Sequence, residues 1–218
     1  MSDLRIGLID SNELVRSGRS MIINSQPDLR VVLEESDPVV AIQRAPDYLV
    51  DVLLVGPSQH SLRGQQLIQL LSQALVEAKN ECAIISYNAF SSSKLRYEAV
   101  VSGAQDFIGL DSSGKELLSL IRQVVKRDYL VEPNELSLLA GEFGFPKVSN
   151  QLELKLSELA DVNTEVVKLF LDGQADQTIA KQLDLARTRV TQLIDSLIAS
   201  AGLTTRNQLH LALSAGAK

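Results

Sequence analysis

Apolar positions along the first 130 residues alternate between two spacings. Short runs of β-forming residues occur at 4–10 ("LRIGLID"), 29–35 ("LRVVLEE"), 50–56 ("VDVLLVG"), 82–87 ("CAIISY") and 106–110 ("DFIGL"). Between and after them, at 12–25, 38–44, 62–79, 92–102 and 113–127, apolar residues recur three and four positions apart. That period keeps side chains on one face of a helix. The last of these stretches carries Leu117, Leu118, Ile121, Val124 and Val125 on its apolar face. Five strands alternating with five helices predict a mostly parallel sheet with right-handed crossovers. Runs two to four are rich in Val, Ile and Leu, as strands covered on both faces are.

The pattern changes after residue 130. Residues 131–155 ("VEPNELSLLAGEFGFPKVSNQLELK") hold two prolines, two glycines and a Ser-Asn pair. They predict a short helix at 134–142 and a linker around 144–151. Helical spacing returns at 163–172, 177–183, 186–201 and 206–215, with Gly173 and Gly202 where C-caps belong. A helix at 177, a turn over Asp184 and Leu185, and a second helix from Ala186 make helix-turn-helix spacing. The expected organisation is an α/β domain over 1–130, a linker with a short helix over 131–155, and an all-α domain over 156–218.

Composition narrows the function classes. The 218 residues are 45% hydrophobic and 22% charged, as in a soluble globular protein. A net charge of −6 argues against a wholly basic nucleic-acid binder but leaves room for a local patch. Cys82, the single cysteine, has no disulfide partner and sits in an apolar run, where it reads as a small buried hydrophobe. One cysteine and two histidines, His60 and His210, offer little for a zinc site, so no metal or cofactor is expected. The start shows no basic segment followed by a long apolar one, and no apolar run is long enough to cross a membrane. These features predict a soluble, cytoplasmic protein. A Gly-rich phosphate loop and a Ser/His/Asp constellation are both missing, which argues against an enzyme.

Four stretches together resemble response regulators of the LuxR-type class. "IDSNELVRSGRSMI" is similar to that family's first strand-to-helix segment, and "DVLLVGPSQHSLRG" to its third strand and following loop. "SGAQDFIGL" resembles the run before its fifth-strand lysine. "LFLDGQADQTIAKQLDLARTRVTQLIDSLIASAGLTTRNQL" follows its C-terminal domain almost without gaps. The resemblance covers nearly the whole chain. It implies a flavodoxin-like receiver with a doubly wound, five-stranded parallel sheet, joined to a small helix-turn-helix domain that binds double-stranded promoter DNA.

The family's receivers gather acids at the sheet's carboxyl edge to bind Mg²⁺ and accept a phosphoryl group on an aspartate. Such chemistry needs a carboxylate nucleophile, further carboxylates for the metal and a lysine for the phosphoryl oxygens. Matched residue by residue, this chain keeps Asp10 but has Ser11 beside it in place of an acid. The acceptor position is Gly56, the hydroxyl position is Ser86, the switch aromatic is Phe107 and the lysine position is Leu110. No acid occurs between Gly56 and Gly64, and Asp51 lies at the far end of its strand, about 16 Å away. The expectation is a receiver that is not phosphorylated. Two readings of its edge stay open: a purely structural relic, or a vacated pocket in which Ser11, Ser58, Gln59, His60 and Ser86 take a small ligand or a regulatory protein.

In the second domain, "ARTRVTQLIDSL" fits a recognition helix with Val190, Ile194 and Leu197 as its apolar seam. By the resemblance, Thr191, Gln192 and Asp195 face bases, Arg187, Arg189 and Arg206 meet phosphates or the groove wall, and Thr188 belongs to the same DNA-binding surface. From 174 to 218 there are five basic residues (Lys181, Arg187, Arg189, Arg206, Lys218) against three acids (Asp176, Asp184, Asp195). That net of +2 is thin for phosphate binding. The apolar last helix, with Leu209, Leu211 and Leu213, suits either core packing or a homodimer contact. The expected function is a phosphorylation-independent transcription regulator. The alternative is a regulator-like scaffold that does not bind DNA.

Overall fold

Five parallel strands, β1 (Leu4–Ile9), β2 (Leu29–Glu35), β3 (Val52–Val55), β4 (Ala83–Asn88) and β5 (Asp106–Gly109), pair in the order β2-β1-β3-β4-β5. That is the strand order of flavodoxin-like doubly wound sheets. The computed structural model describes residues 3–57, 62, 64–90, 92–126, 129–144 and 161–216. Helices α1 (Glu13–Asn24), α2 (Pro38–Arg44), α3 (Gly64–Glu77), α4 (Ser93–Val101) and α5 (Gly114–Val124) connect and follow the strands, with a 3-10 turn at Ala45–Tyr48.

Local chemistry sets where these helices begin. Asn12, Asp37 and Ser92 each accept backbone N–H groups of the first turn of α1, α2 and α4. Ser113 and Glu116 form a capping box at α5. One core joins Ile9, Leu53, Val55 and Ile84 to Leu67, Leu71 and Phe107. The alternate strand residues Leu8, Leu54, Ile85 and Tyr87 are equally buried and point to the other face of the sheet. Cys82 packs against the first of these cores, and burial pushes its thiol well up, as expected of a structural cysteine.

The chain divides into two units, Met1–Arg127 and Asp128–Lys218. The second contains α6 (Pro133–Phe143), α7 (Asp161–Leu171), α8 (Asp176–Gln182), α9 (Arg187–Ala201) and α10 (Arg206–Gly216). Val166, Phe170, Ile179, Val190, Ile194, Leu197 and Leu209 form its core. This corrects the role expected for the short helix. α6 packs against α10 with Leu136, Leu139 and Ala140 buried, so it belongs to the second unit rather than to a linker. The rest of the expected linker, 145–155, lies outside the described residues.

α10 is buried along Arg206–Ala212 within its own unit, which is the core-packing reading of its leucines. Its start is fixed by a capping box: Thr205 Oγ1 accepts from the Gln208 N–H at 3.1 Å, and Gln208 Oε1 accepts from the Thr205 N–H at 3.1 Å.

Candidate functional site

At the carboxyl edge of the sheet, Asp10 follows β1 and Gly56 follows β3. Asp10 is 3% exposed, and both its carboxylate oxygens are engaged. Oδ1 accepts the Asn12 N–H at 2.7 Å, and Oδ2 accepts the Tyr87 hydroxyl at 2.6 Å. Tyr87, near the end of β4, is 1% exposed. Its ring carries the Arg19 guanidinium of α1 at 4.0 Å from the centroid. Burial, and then the bond to Asp10, push the Tyr87 phenol well up, so it stays protonated and donates. Arg19 is lowered by burial, with Tyr87 and Asp10 acting in the opposite direction.

Gly56 lies beneath this bond. A Cβ there would stand 2.5 Å from Asp10 Oδ2 and 2.8 Å from Tyr87 Cζ, closer than real Cβ contacts allow. A side chain at Gly56 and the Tyr87–Asp10 bond would therefore compete for the same space. Sequence reading located Gly56 and Asp10 but overlooked Tyr87. An aromatic next to Ser86 at the end of β4 was the available signal.

The remaining edge residues do not assemble around a phosphoryl group. Ser86 is half-buried, and Phe107 is buried in the sheet core. Leu110 is 36% exposed. Ser11 Oγ is buried without a hydrogen-bond partner among the described residues. Ser58, Gln59 and His60 lie outside the described residues. Directly beside Gly56, the space a side chain would need is taken by Asp10 and the Tyr87 ring. A groove of about 560 Å³ runs instead along α5, lined by Gln26, Lys115, Leu118 and Arg122 among others. Among the described residues no group of His, Cys, Asp and Glu is arranged to hold a metal ion, and no helix is long and apolar enough to cross a membrane.

The second candidate surface is the helix-turn-helix of α8 and α9. Arg187, Thr188, Arg189 and Gln192 are exposed on α9, and Asp195 is half-buried. The structure moves two expected contact residues inward. Thr191 is 9% exposed and donates its hydroxyl to Asp176 Oδ2 at 2.6 Å. Arg206 is 7% exposed and forks onto Asp176, with Nη1 on Oδ1 and Nη2 on Oδ2, each at 2.8 Å. A planar guanidinium matches a carboxylate in this two-bond geometry. Asp176 is 1% exposed, so neither partner turns outward without leaving a buried charge unpaired. Thr191 and Arg206 therefore hold α8, α9 and α10 together instead of reaching a duplex. Neither α8 nor α9 has a side-chain cap, since Ala175 and Ala186 stand at their N-caps.

No protein-family profile matches this chain. It is 26% identical over 210 residues to the oxygen regulatory protein NreC of Staphylococcus aureus, covering 94% of each chain. Among solved structures it is similar to a LuxR-family two-component response regulator from Aurantimonas sp. SI85-9A1, with a TM-score of 0.55 and 21% identity over 65% of this chain and 98% of that one. The RcsB response regulator of Salmonella typhimurium matches over 100% of both chains with a TM-score of 0.53 and 16% identity.

Proposed function

We propose that this chain, similar to NreC and to a LuxR-family two-component response regulator, is a DNA-binding transcription regulator whose activity does not depend on aspartyl phosphorylation. The observation that carries the second half is the Tyr87–Asp10 hydrogen bond closed over Gly56. It leaves no nucleophile at the acceptor position and engages both oxygens of the one retained acid. Among the described residues of that edge, no carboxylate stands at the acceptor position and no cluster of acids is arranged to hold Mg²⁺.

The DNA-binding half rests on the helix-turn-helix and on the exposed face of α9. Arg187 and Arg189 suit phosphates, and Gln192 suits the paired donor and acceptor of adenine. The uncapped N-terminus of α9 adds backbone N–H groups that favour a phosphate. Half-sites of opposite orientation would call for a homodimer. The scaffold reading draws support from a different observation. With Arg206 committed to Asp176, the exposed bases of the described helix-turn-helix are Lys181, Arg187 and Arg189.

Both readings are separated by fluorescence anisotropy of the full-length protein on its own upstream DNA, with and without acetyl phosphate and Mg²⁺. Sequence-dependent binding unchanged by the donor is the expected result. Binding that strengthens with the donor overturns phosphorylation independence. No binding above the non-specific level at low salt favours the scaffold.

A further inference from the structure

We propose that residues 129–143 are a positioning strap for the recognition helix, acting through Asn207, Arg206 and Asp176. The DNA arm of this inference rests on the function proposed above; the structural arm stands without it.

The strap is docked at several points, each specific. Leu130 packs against the second unit's core. The Val131 N–H donates to Asn207 Oδ1 at 3.0 Å, and both residues are buried, at 4% and 1% exposure. Pro133 sits over Gly173, the residue that ends α7 with a φ of +77°; a Cβ there would come within 2.1 Å of Pro133 Cγ. α6 then lies against α10 through its buried leucines.

Asn207 is the pivot. It sits in the first turn of α10, which the Thr205–Gln208 box holds in place. Its neighbour Arg206 clamps Asp176 at the start of α8, and Asp176 takes the hydroxyl of Thr191 in α9. Two sets of buried polar contacts, joined through the peptide bond between Arg206 and Asn207, therefore run from Val131 to the recognition helix. Each link is costly to leave unmade, because the groups cannot turn to water.

The test uses the full-length protein and the variants Asn207→Ala, Leu136→Val and, as a control, Leu138→Ala, whose side chain is 74% exposed on α6. Amide exchange is followed by mass spectrometry. The proposal expects Asn207→Ala and Leu136→Val to speed exchange by about tenfold in peptides spanning 176–192 as well as in the strap, with the first unit unchanged. Affinity for the upstream duplex should fall with them, and the control should do neither. Faster exchange confined to the strap and α10 overturns the proposal. So does faster exchange at 176–192 with unaltered DNA affinity. A wild-type protein that binds no DNA overturns the function proposed above, and the exchange result still decides whether the strap positions α9.

Discussion

Gly56 shows how one residue's chemistry depends on another's size. Its backbone is ordinary, and the constraint is the space taken by the Tyr87–Asp10 bond above it. Restoring an aspartate there should therefore fail. Gly56→Asp is expected to lower stability by about 1–3 kcal/mol through overpacking and to yield no phosphoryl adduct with acetyl phosphate, read by denaturation and intact mass. Tyr87→Phe should cost about 1–3 kcal/mol, because one Asp10 oxygen is left buried without its donor; urea titration checks it. His210 offers a pH test in the second unit. It is fully buried, with Nε2 2.9 Å from the Leu171 carbonyl, and burial lowers its pKa, partly opposed by that carbonyl. The unfolded chain thus binds the proton more readily than the folded one. Stability of this unit is retained above the ordinary value near 6.5 and lost as pH falls below it, by at most about 1.4 kcal/mol per pH unit. Melting between pH 7.5 and 5.5 should show that slope, and His210→Gln should flatten it.

Among the elements, α6 carries the clearest lesson. Its residues read as a helix inside a connecting segment, flanked by proline and glycine, and nothing local distinguished it from a tether. The structure finds it built into the second unit, seated where Pro133 meets Gly173. Gly173→Ala should therefore cost more than its positive φ alone, at about 2 kcal/mol or above, because the methyl also displaces Pro133. A lowered unfolding midpoint in the second unit, with the first unit's transition unmoved, is the expected reading. α9 shows the complementary case. Its apolar seam of Val190, Ile194 and Leu197 was legible from the period of the sequence and is fully buried. Which of its polar residues face outward was not legible, because Thr191 is drawn in by Asp176, fifteen residues earlier in the chain.

Across the whole molecule, the balance of charge governs how it would meet DNA. If Lys181, Arg187 and Arg189 each neutralise one phosphate, the logarithm of affinity should fall with the logarithm of salt at a slope of about −3 per protomer. A salt series in the anisotropy experiment measures it. A much steeper slope would mean that bases outside the described helix-turn-helix take part.

The order of strands and helices, the helix-turn-helix and the residues standing at positions 11, 56 and 110 were set by the sequence alone. Each depends on local properties: the periods of 2 and 3.6, capping residues, and the absence of a carboxylate at Ser11 and Gly56 and of a lysine at Leu110. What the tertiary structure decided involves pairs distant in the chain. Tyr87 closes over Gly56 and onto Asp10, Arg206 is withdrawn to Asp176, and residues 129–143 join the second unit through Asn207. These depend on burial and on which polar groups meet once water is excluded. No spacing along the chain encodes that, because a buried charge or hydroxyl takes whichever partner the packing brings within reach.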